Sequence, residues 1–123
     1  MNEIIYRAKR KLNGKWVYGS LVKGQSEDWD YIIPVNEDLE DGLDFLKIRV
    51  ISNTIGFYSN KNDVKNEKIF SGDIIQYTQH YFNTNKTNVK TKVVTYINGD
   101  WNIYNTNAGE SNVLVIGNIY DNG

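Results

Sequence analysis

Residues 6–18 read Tyr6-Arg7-Ala8-Lys9-Arg10-Lys11-Leu12-Asn13-Gly14-Lys15-Trp16-Val17-Tyr18, and this stretch decides the fold class. Asn13-Gly14 is the strongest short hairpin signal a sequence can carry, because both residues accept positive φ. Before it, residues 4–8 open a β-prone run, and after it Trp16-Val17-Tyr18 and Leu21-Val22 supply the returning strand. Alternation sends Trp16 and Tyr18 to one face, expected to be the core face. A second pair, Asn98-Gly99, sits between residues 89–97 and 101–104, with alternation on both sides. The chain is therefore expected to be mainly β.

Between the hairpins the period stays near two. Trp29-Asp30-Tyr31-Ile32-Ile33 reads as a short strand closed by Pro34. Leu46, Ile48 and Val50 alternate with Lys47 and Arg49, and Thr54-Ile55-Gly56-Phe57-Tyr58 is another β-prone run. Residues 59–67 and 83–88 are polar and read as loops. Val113-Leu114-Val115-Ile116 is a continuous apolar run, which suits a strand buried on both faces. Residues 36–46 hold the single helix candidate, with Asn36 as cap, acids in the first turns, and Val35, Leu39, Leu43 and Leu46 at helical spacing. Gly42 weakens it, and an acidic surface loop fits equally well. Short strands with turn signals roughly every ten residues point to a small barrel or sandwich.

A chain of 123 residues has room for one domain. Hydrophobic residues at 40% and aromatic residues at 13% allow a packed core, which excludes a disordered chain. There is no cysteine, so disulfides, thiolate nucleophiles and cysteine-ligated metals are excluded. No apolar stretch of signal length follows Met1, and none approaches the ~18 residues of a membrane span. The expected setting is the cytoplasm, with no membrane contact. Asn is abundant; codon bias is the plainest explanation, although Asn also tolerates left-handed turns.

Three segments together resemble the YopX family of phage and prophage proteins. The first is Tyr6-Arg7-Ala8-Lys9-Arg10 followed by Asn13-Gly14-Lys15-Trp16-Val17-Tyr18-Gly19. The second runs from Thr54-Ile55-Gly56-Phe57-Tyr58 to Lys68-Ile69-Phe70-Ser71-Gly72-Asp73-Ile74-Ile75, and the third is Val115-Ile116-Gly117-Asn118-Ile119-Tyr120-Asp121-Asn122. The family usually has Gly at the positions of Ala8, Asn60 and Asn66, and Gln at that of Phe57. Asn can stand in for Gly at positive φ, whereas Phe57 alters any shared surface there. The resemblance implies a β-rich fold with an SH3-like barrel element, phage or prophage origin and homo-oligomerisation, and it implies no activity. The expected organisation is one YopX-like domain over residues 1–123. Within it, a hairpin region covers about 1–53 and a barrel-like region about 54–123.

Motifs for chemistry are sparse. Gly72-Asp73 could present a carboxylate at a barrel mouth, but a tight turn with Asp bonding neighbouring amides explains it better. His80 is the single histidine and lacks a nucleophile or second imidazole, so an exposed ring is the simpler reading. The acidic run at residues 37–44 fails the calcium-loop pattern, because the glycine and terminal glutamate positions are wrongly occupied. Gly14, Gly19 and Gly24 belong to turns and not to a phosphate loop. Asp73 and Asp100 would make a metal-dependent enzyme only if they converged. No catalytic residue, metal ligand or cofactor is therefore assigned, and the protein is expected not to be an enzyme.

Charge supplies the best clue to partners. Net charge is −1, yet residues 1–23 carry +5, residues 24–46 carry −8, residues 47–92 carry +5, and the remainder −3. The two signs either fold side by side and cancel, or meet between subunits of a symmetric homo-oligomer. The leading expectation is a non-catalytic protein-interaction module binding itself and an unidentified host or phage protein. The alternative is nucleic-acid or nucleotide binding through the basic aromatic hairpin, disfavoured by the near-neutral charge. The candidate binding surface is Arg7, Arg10, Lys11, Lys15 and Phe57.

Overall fold

Asn13-Gly14 does close a hairpin. In the computed structural model, which describes residues 3–24, 30–34, 47–103 and 109–121, β1 (Tyr6–Lys9) pairs antiparallel with β2 (Trp16–Val22). Ala8 lies opposite Val17, and Lys9 opposite Trp16. The turn is wider than the two-residue type expected. Arg10 N–H donates to Lys15 O (2.8 Å), Gly14 N–H donates to Arg10 O (2.9 Å), and only Gly14 has positive φ (72°). Asn13 contributes its side chain instead, accepting from Lys15 N–H at 2.9 Å.

The chain divides into two compact units, Met1–Tyr58 and Ser59–Gly123. In the first, β3 (Tyr31–Pro34) pairs with β2, and the two-residue β4 (Ile48–Arg49) pairs with β3. A 3-10 turn (Ser52–Thr54) leads into β5 (Gly56–Asn62), whose start pairs with β1. The strand order is thus β4-β3-β2-β1-β5. Ala8, Val17, Ile32 and Val50 are fully buried on one face, with Tyr6, Leu21, Ile48 and Ile55 packed around them. Each buried Val or Ile contributes about 1.5–3 kcal/mol. Trp16 and Tyr18 are on the opposite face and half-buried, contrary to expectation. Alternation was read in the correct phase, but Val17 and the side-chain-free Gly19 face the core.

The second unit begins with the remainder of β5, which turns through Asp63 into β6 (Lys68–Phe70). Residues 59–62, expected as loop, are strand, because the reversal is concentrated at residues 63–66. Next come β7 (Asp73–His80), β8 (Thr87–Val93), a small hairpin of β9 (Tyr96–Ile97) and β10 (Asp100–Trp101), and β11 (Glu110–Asn118). The main sheet has order β11-β7-β8, all antiparallel. Its core is Ile69, Ile75, Tyr77, Val94, Ile103 and Val113, flanked by Trp101 and Val115. β9 and β10 pair across Asn98-Gly99, both at positive φ (54° and 83°), the twist-matched hairpin turn expected. Residues 89–97 are not one strand, however. Val94, 1% exposed, dives into the core between β8 and β9.

The mainly β expectation is met, with no α-helix among the described residues. Closure into a barrel is not, since the strand orders are linear. The nearest approach is one bridge, Arg10 to Val50, flanked by Lys11 N–H to Arg49 O (2.9 Å) and Ile51 N–H to Lys9 O (2.8 Å). With β4 only two residues long, no ladder can form there. The helix candidate at residues 36–46 lies outside the described residues, as do Trp29 and most of the acidic segment. Val113-Leu114-Val115-Ile116 is strand but not buried on both faces: Val113 is buried and Ile116 exposed. β11 is an edge strand with two register shifts, which turn Ile116 outward. Among the described residues, no helix is long and apolar enough to cross a membrane.

Candidate interaction surfaces

The first surface lies on the N-terminal unit, opposite the Ala8–Val17 core. Arg7 faces Tyr18 across the ladder and Lys9 faces Trp16, so two cations and two aromatics share one face. Arg7 Cζ stands 4.6 Å from the Trp16 ring centre and Lys9 Nζ 5.5 Å from it. Lys47 Nζ lies 4.3 Å from the ring centre of Tyr31. Such stacking is worth about 0.5–2 kcal/mol and fixes the cation over the ring. Arg7 is only 6% exposed, so its guanidinium is engaged within the fold.

The other candidate residues are scattered around that unit. Arg10 points with Ala8 and Val50 toward the core side, and its Nε is buried without a hydrogen-bond partner. Lys11 and Lys15 are exposed at the hairpin tip. Phe57 sits opposite Tyr6, rings 6.2 Å apart, also on the core side. Arg7 and Arg10 thus lie on opposite faces, and the five residues do not share one.

Of the carboxylate and histidine candidates, Asp73 has a structural role, while Asp100, at the start of β10, and His80 are exposed. Gly72 has φ 89°, and buried Asp73 accepts from Phe70 N–H at 2.8 Å, the tight turn that Gly-Asp suggested. His80 is exposed at the end of β7, edge-on to Phe82. Among the described residues, no three His, Cys, Asp or Glu side chains gather as metal ligands would. Asp63 is a carboxylate held by backbone amides. It accepts from Lys65 N–H (2.8 Å), Glu67 N–H (2.9 Å) and, across the unit, Val115 N–H (2.9 Å). Burial opposes its ionisation, but these three amides prevail and hold its pKa below the usual carboxylate value.

The second surface was not read from the sequence. It is β8, an edge strand whose amphipathicity is inverted. Lys90 and Lys92 lie opposite Tyr77 and Ile75 on the core side, whereas Val89, Thr91 and Val93 lie opposite Thr78, Gln76 and Ile74 on the other side. Val89 is 66% exposed and Val93 39%. The buried-side lysines are accommodated by specific partners. Lys92 bonds Glu110 at 2.7 Å and stands 4.6 Å from the Tyr77 ring centre. Lys90 extends past Tyr77 to the Tyr81 hydroxyl; that contact raises the pKa of Lys90 and lowers that of Tyr81. The long lysine stems cover aromatic surface while their charges reach water.

The backbone of β8 has the same polarity. At its ends, Tyr81 N–H donates to Lys86 O (3.2 Å), Val94 N–H donates to Asp73 O (2.7 Å), and Gly72 N–H donates to Val94 O (3.0 Å). Even-numbered residues therefore bond inward to β7, and by ladder alternation the odd-numbered ones turn their N–H and C=O outward. Val93 O is taken by Asn102 Nδ2 (2.9 Å); the backbones of Val89 and Thr91 bond nothing else among the described residues. The Lys-x-Lys and Val-x-Thr-x-Val alternation was visible in the sequence. Its phase was not, because the loop between Tyr81 and Lys86 sets which row meets Tyr77.

The family model described as YopX protein matches residues 5–123. No curated protein and no solved structure matches the chain.

Proposed function

We propose a function from one premise: this chain belongs to the YopX family. Membership makes it a phage-type protein and brings no reaction with it. We read it as a non-catalytic interaction module that binds another protein through β8 of the second unit, inside a bacterial cell carrying phage or prophage genes. The observation that carries this reading is β8 itself, an edge strand with outward valines and outward backbone groups. Exposed sheet edges invite pairing and are normally guarded; here core-side lysines guard against self-pairing, while outward backbone groups stand beside exposed apolar side chains. The partner at β8 is a host or phage protein; a second copy of the chain would associate through the segregated charges instead.

The test compares complexes captured from bacterial lysate by tagged wild-type protein and by Val89→Asp/Val93→Asp. Both positions are exposed, so the variant should fold. A partner retained by wild type and lost by the variant supports the reading. Identical captures from both proteins would defeat it.

Nucleic-acid binding by the first hairpin is the second reading. Trp16 and Tyr18 facing away from the core, beside Lys9 and near the exposed Lys11 and Lys15, favour it. The engagement of Arg7 and the net charge of −1 count against it. Fluorescence anisotropy with single-stranded oligonucleotides at low salt tests it: binding lost in Lys11→Glu/Lys15→Glu supports this reading, and no binding ends it.

A further inference from the structure

We propose that β8 accepts an extended acidic segment of a partner protein as the next strand of the β11-β7-β8 sheet. This rests on β8 being the interaction surface, and it adds the chemistry of the occupant. Three observations converge on it. First, Val89 and Thr91 turn backbone donors and acceptors outward, the groups an added strand pairs with. Second, Val89, Thr91 and Val93 form one exposed row, which matches β-branched side chains on the same face of an incoming strand.

Third, the opposite row selects charge. Lys86, Lys90 and Lys92 share a face, and among the described residues only Lys92 has a carboxylate partner, Glu110. The Tyr81 contact favours the charged form of Lys90. An incoming strand therefore meets two exposed ammonium groups two side-chain steps apart, and acids at its alternate positions answer them. A second copy of β8 is a poor occupant. In symmetric antiparallel registers centred on Lys90 or Thr91, Lys90 would face Lys90 or Lys92. Like charges directly opposite are destabilising, so the lysine row rejects self-pairing and favours an acidic strand.

The test titrates the full-length, 15N-labelled protein with two peptides, Thr-Glu-Val-Glu-Thr-Glu-Val and Thr-Lys-Val-Lys-Thr-Lys-Val, following backbone amides by NMR. The acidic peptide should shift the Val89 and Thr91 amides and bind about tenfold more tightly than the lysine peptide. Lys86→Glu/Lys90→Glu should reverse that order. Thr91→Pro removes an outward N–H without breaking a ladder bond, so it should keep the core spectrum and lose the acidic peptide. Equal response to both peptides overturns the proposal, as does unchanged binding by folded Thr91→Pro. If neither peptide binds yet Val89→Asp/Val93→Asp still loses its captured partner, strand addition fails and the interaction surface stands. Should the captures also be identical, both fail.

Discussion

Asp63 accepts three backbone N–H bonds from residues as far along the chain as Val115, and so joins the β5–β6 turn to β11. Its carboxyl titrates near the ordinary 3.8 in the unfolded chain and lower in the folded one. Its contribution to stability is therefore complete above that value, and is lost as pH falls from there through the folded pKa. Asp63→Asn presents an NH2 to at least one of these donors and leaves a buried N–H unsatisfied. The expected cost at pH 7 is about 1–3 kcal/mol by urea denaturation, with the gap to wild type narrowing at pH 3.

Asn60 and Asn66 illustrate how far single residues could be read. Both stand where the family usually has Gly, and both have positive φ, 63° and 66°. Every non-glycine residue at positive φ among the described residues is Asn. The tolerance of Asn for left-handed backbone therefore accounts for these positions. Asn66→Gly should be close to neutral and Asn66→Ala should cost about 1 kcal/mol, read as the difference in thermal midpoint. Asp63 was not legible in the same way, because its partner Val115 lies 52 positions away and no local pattern announces it.

At the scale of elements, turn chemistry was the most legible feature and facing the least. Asn98-Gly99 adopts the two-residue turn, whereas Asn13-Gly14 closes a longer one because the Arg10–Lys15 pair forms outside it. Local residues specify that a chain reverses; the neighbouring ladder specifies how. The one strand face read from the sequence, that of Trp16 and Tyr18, was misjudged, and the facing of β8 was not read, for one reason. Hydropathy favoured Trp16 and Tyr18 inward and would favour the β8 valines inward, yet register with Ala8 and with Tyr77 decides.

Gly19 makes the dominance of register measurable. A Cβ there would lie 1.9 Å from Ile33 O and 2.9 Å from Pro34 Cα, so β2 and β3 approach through the missing side chain. Gly19→Ala should destabilise by about 3 kcal/mol or more, because the obstruction is backbone and cannot rotate away. Gly117→Ala meets nothing within 4 Å and should be close to neutral. Equal denaturation midpoints for the two variants would contradict this packing.

For the whole molecule, family membership was legible from three segments, and the reasons for function lie elsewhere. The residues that carried the resemblance are turns and core strands, which any member needs in order to fold. β8 falls between them, in a stretch of Thr, Lys and Val that no signature marked. Charge segregation along the chain remains the argument for symmetric self-association. Light scattering across a salt series checks it: an oligomer that dissociates as salt rises is expected, and a monomer at every salt excludes an electrostatic assembly.

The central claim is that β8 of the second unit is the surface on which another protein docks. Photo-crosslinking in the host bacterium tests it most directly. A p-benzoylphenylalanine is placed in turn at Val89, Thr91, Leu12 and Asn53, all exposed. The account predicts adducts of one discrete mass at positions 89 and 91, suppressed by Lys90→Glu, with none at 12 or 53. Adducts at 12 or 53 equal to those at 89, or none at 89 and 91 in a folded protein, would contradict it.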